Sequence, residues 1–141
     1  MKNLENAKKI LKDGSFTCVL CKDGTTYTTT ERGVKPLVRW LTEGQDLQGF
    51  SAADKVVGKA TAYLYCLLGV RAVHSQVMSG AAARVLEENG IAASQDLLVE
   101  NIINRQGTGI CPFEEAVWEI HDPKNALTAI RCKMEQMHIT L

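Results

Sequence analysis

Two β-favouring runs, FTCVLC and TTYTTT, flank the dipeptide Asp23-Gly24, and this pattern commits the early part of the chain to an antiparallel hairpin. Asp-Gly suits a two-residue turn whose central residues both take positive φ, the turn that matches the twist of paired strands. Cys18 and Cys21 stand in the first run as a C-x-x-C. Three positions apart in a strand, their side chains point to opposite faces, whereas a redox pair needs a helix start and a zinc site needs convergence. Both read as structural thiols.

The stretch Phe50 to Gly69, FSAADKVVGKATAYLYCLLG, reads as one central helix. Ser51 is placed as its N-cap, and Val56, Val57, Ala60, Tyr63, Leu64, Leu67 and Leu68 recur at helical spacing on a core-facing side. The opposite arc holds Asp54, Lys55, Gly58, Lys59, Thr61, Ala62 and Cys66, where Gly58 and Ala62 are small enough to let another part of the chain approach. Gly69 ends the element as a left-handed C-cap residue.

Helices are expected over Asn3–Lys12 and within Glu31–Gly44, the second with Pro36 in its first turn. Val70–Met78 is β-branched and reads as a strand, Ser79-Gly80 opens a helix running to Asn89-Gly90, and Ile91–Ser94 returns to strand. Asp96–Ile103 is read as a helix that turns Leu97, Leu98 and Ile102 inward. The glycine-rich stretch from Asn104 to Gly109 is a loop. Two further helices are expected, one with Cys111 as cap before Pro112 and Phe113, Ala116, Val117 and Ile120 inward, the other with Asp122 as cap before Pro123. This order predicts an α/β class, a sheet between layers of helices with a right-handed parallel crossover around Val70–Ser94.

With 141 residues, the chain reads as a single domain spanning 1–141 with a core large enough to need no disulfide or structural metal. Lysine plus arginine and aspartate plus glutamate number 16 each, which removes the global field that collects nucleic acid or an anionic membrane. No apolar run is long enough to span a bilayer, and MKNLENAKK lacks the apolar centre of a signal peptide. Five cysteines, an odd number scattered among core elements, suit a reducing compartment, so a cytoplasmic protein with free thiols is expected.

The runs FTCVLCKDGTTYTT, GFSAADKVVGKA and INRQGTGICPFEEAV together resemble an uncharacterised bacterial family, domain of unknown function 1893, of the cytidine-deaminase-like fold. The resemblance covers nearly the whole chain. It implies a three-layer α/β/α sandwich with a mixed sheet and an N-terminal hairpin. Zinc deaminases carry H-x-E or C-x-E at one helix start and P-C-x-x-C at the next. The first motif is expected near Ser51–Lys55 and the second near Met78–Ala82, and neither stretch holds a His or Cys. No metal or other cofactor is therefore expected, and the separate histidines His74, His121 and His138 read as ordinary residues.

The fold so implied turns the helix starts at Ser51 and Ser79 toward one crevice, where free N–H groups favour phosphate. Lys55 and Lys59 would add charge, and Asp54 would accept hydrogen bonds from a base or ribose. Asn104, Arg105, Gly107, Thr108 and Gly109 form a second candidate, a glycine-rich loop able to wrap an anion, with a plain tight turn as the alternative. These residues point to a metal-free protein that binds a nucleotide or another phosphorylated small molecule and assembles as a homo-oligomer. Two alternatives stand beside it: a cysteine-dependent enzyme with Cys111 as nucleophile and Asp54 or Lys55 moving protons, and a non-catalytic oligomeric scaffold.

Overall fold

A computed structural model describes residues 2–104 and 106–141. The expected hairpin is present as β1 (Cys18–Lys22) and β2 (Thr25–Thr29). Lys22 pairs with Thr25 across a turn in which Asp23 and Gly24 take φ of 48° and 89°. The Asp23 N–H is anchored by donating to Asn3 Oδ1 at 3.0 Å. Helix α1 (Lys2–Asp13) crosses this hairpin and packs Ala7 and Leu11 onto Val19, Cys21 and Ala53. Cys18 joins the cluster on the other face, so the C-x-x-C is split across the sheet as its strand spacing requires.

Helix α2 (Lys35–Glu43) carries Pro36 in its first turn and ends on Gly44 in the left-handed region at φ 70°. The next stretch departs from expectation. Ser51–Val57 is a strand, β3, and the helix α3 begins only at Lys59 and runs to Leu68, with Gly58 as its extended N-cap. Ser51 is thus no cap; it is buried and paired with Cys21 and Ala72. β3 is bonded on both edges, antiparallel to β1 and parallel to β4 (Ala72–Ser79). A strand buried on both faces shows a near-continuous apolar run rather than alternation, and such a run also fits a helical stripe.

Ser79 caps α4 (Gly80–Glu88), its Oγ accepting the Ala82 N–H at 3.1 Å. Strand β5 (Ala92–Val99) then returns parallel to β4 and continues its register to the pair Ser79–Val99. The helix expected over Asp96–Ile103 is absent, and Leu97 and Leu98 are 57% and 54% exposed on this edge strand rather than inward. Pairing with β4 overrides a local helical pattern. α5 is short (Pro112–Ala116), leaving Val117 to Ile120 outside it, and α6 (Pro123–Gln136) opens with Asp122 Oδ1 accepting the Asn125 N–H at 3.0 Å.

The result is a five-stranded mixed sheet in the order β2-β1-β3-β4-β5. α1 covers one face, and the larger core on the other face is built by α2, α3, α4 and α6 around Leu20, Ala52, Leu64, Leu86 and Ile130. This is the three-layer α/β/α arrangement expected for a cytidine-deaminase-like chain. Among the described residues, no helix is long and apolar enough to cross a membrane.

The two leucine environments give opposite outcomes. Leu64→Ala, at a fully buried position, should cost about 2–5 kcal/mol in urea denaturation, whereas Leu97→Ala should change stability by less than about 0.5 kcal/mol. A large loss at Leu97 would contradict the strand assignment.

Candidate functional site

The carboxyl end of β3, the loop before α2, the start of α3, residues 102–104, 106 and 111–114 and the tail after α6 enclose a cleft of ≈ 930 Å³. Its position outside the carboxyl end of a parallel strand is the usual one for ligand sites in open α/β sheets. Three of the exposed large apolar residues, Val56 (44%), Ile103 (55%) and Met137 (42%), lie on its walls, which makes an apolar ring around a deeper polar patch.

That patch is organised by Asp54. The buried Tyr65 hydroxyl donates to Asp54 Oδ2 at 2.6 Å, and Cys18 Sγ lies 3.1 Å from the same hydroxyl. Because the tyrosine has a single proton and gives it to the carboxylate, Cys18 S–H is the donor to Tyr65, and a chain of donors ends on Asp54. The Val56 N–H points at Oδ1 from 3.4 Å. Burial pushes the Asp54 carboxyl up from 3.8 to about 6, against the Tyr65 hydrogen bond and the Val56 and Lys55 N–H groups. Burial, then the Asp54 charge, raises both Cys18 and Tyr65 well above their usual values, so both hold their protons. Cys18 is therefore no nucleophile despite lining the cleft.

A second carboxylate closes the cleft from the other side. Glu114 of α5 is buried, and its Oε1 accepts the Lys59 N–H at 2.7 Å, capping α3 with a side chain distant in sequence. Gly58 makes this possible: a Cβ there would lie 1.5 Å from Glu114 Oε1. Burial raises the Glu114 carboxyl, with the Lys59 N–H and charge acting against it. Lys59 Nζ donates to the Trp118 carbonyl at 3.0 Å and Tyr63 Oη to the Ile120 carbonyl at 2.9 Å, so the whole segment after α5 is tied to α3.

Of the residues singled out in the sequence, Asp54, Lys55, Asn104 and Cys111 meet in the cleft. Ser51 lies at the opposite end of β3, and Ser79 is buried as the cap of α4; neither lines it. The helix starts expected at Ser51 and Ser79 do not face one crevice: Ser51 lies within β3, Ser79 Oγ accepts the Ala82 N–H as the cap of α4, and the start of α3 is at Lys59, whose N–H Glu114 accepts. Lys59 turns its ammonium to Trp118 instead.

The loop candidate is likewise closed on itself. Asn104 Oδ1 accepts the Thr108 N–H at 3.1 Å, the Asn104 carbonyl accepts the Gly107 N–H at 3.1 Å, and Asn104 Nδ2 donates to Thr108 Oγ1 at 3.2 Å. Gly107 takes φ of 71° and Gly109 no positive φ, so a tight turn with positive φ at both glycines is met at Gly107 alone. Gly107, Thr108 and Gly109 lie outside the cleft lining, and Arg105 lies outside the described residues. Cys111 is half-buried and makes no cap hydrogen bond to its short helix. Cys132, expected near packed elements, is exposed.

Sequence reasoning missed Glu114, Tyr65 and Arg32. The closeness of Gly58 to another element was the one available signal for Glu114. His74 is not unpaired either: Nδ1 is 2.8 Å from Ser94 Oγ and Nε2 3.3 Å from Asp96 Oδ1, on the α1 side of the sheet, and burial lowers its affinity for a proton.

Residues 6–134 match the family described as "Domain of unknown function (DUF1893)". The chain belongs to this family. A family member from Thermotoga maritima, solved by crystallography, is 27% identical, with 96% of this chain and 90% of that one covered and a TM-score of 0.83. A dCMP deaminase from cyanophage S-TIM5 overlaps with 67% of this chain and 94% of its own at 12% identity and a TM-score of 0.45. A diaminohydroxyphosphoribosylaminopyrimidine deaminase/5-amino-6-(5-phosphoribosylamino)uracil reductase from Thermotoga maritima overlaps with 67% of this chain and 35% of its own, at 16% identity and a TM-score of 0.39. No curated protein matches the chain.

The zinc that a deaminase-like fold implies does not fit these residues. With Gly58 as the N-cap of α3, the first motif position falls on Gly58-Lys59-Ala60 rather than near Ser51–Lys55, and the second on Ser79-Gly80. None of these side chains is a nitrogen or sulfur ligand of the kind zinc takes. Among the described residues, no three His, Cys, Asp or Glu come together to hold a metal ion.

Two stability outcomes follow from the carboxylates. A folded-state carboxyl raised to about 6 from 3.8 stabilises the fold fully below pH 3.8, and that contribution is lost as pH rises through about 6. At about pH 8 the ionised Asp54 then costs roughly 3 kcal/mol relative to its neutral form. Asp54→Asn should raise Tm at about pH 8, with the gain shrinking by about pH 4; a variant less stable than wild type at the higher pH would contradict the buried-charge account. In the second case, Gly58→Ala and Glu114→Ala should each cost about 1–3 kcal/mol, and the double variant less than their sum, since both break the same cap. Strict additivity in chemical denaturation would place the two residues in separate interactions.

Proposed function

We propose that the cleft binds a nucleotide or a closely similar phosphorylated heterocycle, its planar body within the apolar ring, its hydrogen-bond donors on Asp54 and its phosphate at the rim. The observation that carries this reading is the separation of chemistry with depth: a half-buried carboxylate on the floor, and the exposed cations Arg32 and Lys55 at the mouth. Lys35, also in the lining, is engaged by Glu31 at 3.4 Å. Glu31 is held at about 2 by the hydrogen-bonded Arg39 guanidinium and by Lys35, so this pair is already neutralised. Arg32 and Lys55 form no ion pair among the described residues, which leaves two cations for an anionic ligand.

A neutral nucleoside would satisfy the apolar walls and Asp54 alike, and only the rim cations favour the phosphate ester over it. The Gly107–Gly109 loop and the start of α4, which lie outside the cleft lining, have no part in this version of the site.

Calorimetry with nucleoside monophosphates and their nucleosides tests it. Wild type should bind the phosphate esters more tightly. Lys55→Ala and Arg32→Ala should each weaken the esters by roughly 1.5–3 kcal/mol while leaving nucleosides unchanged. Absence of binding to wild type, or binding indifferent to both cations, would overturn the reading.

A further inference from the structure

We propose that the base carried by this nucleotide is guanine, recognised through its adjacent N1–H and N2–H₂ donors by the two carboxylate oxygens of Asp54. The inference rests on the nucleotide reading above and adds the identity of the base.

An ionised carboxylate only accepts hydrogen bonds, and each oxygen has room for more than one. Tyr65 occupies one position on Asp54 Oδ2 at 2.6 Å, the Val56 N–H lies 3.4 Å from Oδ1, and the Lys55 N–H and Cys18 stand near without a hydrogen bond to either oxygen, so the group is held by one short bond with acceptor capacity left. The neighbouring donors are spent: Tyr65 gives its proton to Asp54 and Cys18 gives its own to Tyr65. The polar floor formed by this trio therefore offers acceptors and no free donor.

The pairing edges of the four common bases respond differently to such a floor. Adenine and cytosine set a ring-nitrogen acceptor beside an amino donor, and either would press a lone pair against the carboxylate. Uracil has a single N–H between two carbonyl acceptors. Guanine alone presents two donors side by side, at the spacing of two carboxylate oxygens. A site built to pair with two donors rejects a ligand lacking one strongly, because a buried acceptor is then left unsatisfied. Val56 and Ile103, both exposed into the cleft, supply apolar flanks for the ring.

Calorimetry with guanosine, inosine, adenosine, cytidine and uridine monophosphates, well above the range in which Asp54 titrates, decides it. Guanosine monophosphate should bind at least about tenfold more tightly than the adenosine, cytidine and uridine esters, with inosine monophosphate, which keeps only the ring donor, in between. Asp54→Asn, which retains an acceptor for Tyr65, should abolish the preference by lowering guanosine monophosphate to the level of the other esters. Equal binding of all bases, or a guanine preference that survives in Asp54→Asn, overturns this inference and leaves the nucleotide reading standing. No binding by any of the five overturns both.

Discussion

The double pairing of β3 is the constraint from which the remainder of the structure follows. With β1 antiparallel on one edge and β4 parallel on the other, the strand joins a hairpin to a parallel crossover and makes the sheet mixed. Ala52 and Ala53 turn to opposite faces and are both buried, which lets α1 approach from one side and the larger helical layer from the other. Because the strand is covered along most of its length, its carboxyl end is the place where polar groups emerge, and there Asp54 and Lys55 meet the cleft.

The site is defined by how its carboxylates are held. Asp54 is kept in an environment that resists its ionisation, yet it is supplied with a donor chain from Tyr65 and Cys18. Burial opposes the ionisation of Asp54 while the Tyr65 hydrogen bond supports it, and these two opposed effects meet at the wall of the cleft. Glu114 has a different part. It takes up the first N–H of α3 and so fixes where that helix begins.

The readability of the fold in the sequence divides along physical lines. Punctuation by local chemistry was legible: Asp23-Gly24 in the hairpin, Gly44 closing α2, Ser79 opening α4, Asp122-Pro123 opening α6. What failed were elements decided by partners distant in the chain. SAADKVV satisfies a helical stripe as readily as a buried strand, and the choice is made by β1 and β4. Leu97-Leu98 likewise follows the register of β4. Of the residues singled out for the site, Asp54 and Lys55 line the cleft, but from a strand rather than from the helix expected there. Glu114 reads in sequence as an ordinary first-turn acid, since nothing local marks a side chain that caps a different helix.

That cap also bears on the order in which the molecule can be completed. The first turn of α3 is built from residues near the middle of the chain, but its acceptor arrives only with α5. Closing so long a loop must precede the hydrogen bond that rewards it, which makes this docking a late event in folding. A chain ending short of Glu114 lacks the acceptor for the Lys59 N–H, the second wall of the cleft, and Ala126, Ile130 and Met134 of the main core. The cleft wall and the cap of α3 therefore depend on the same segment, the one that carries Cys111 and Glu114.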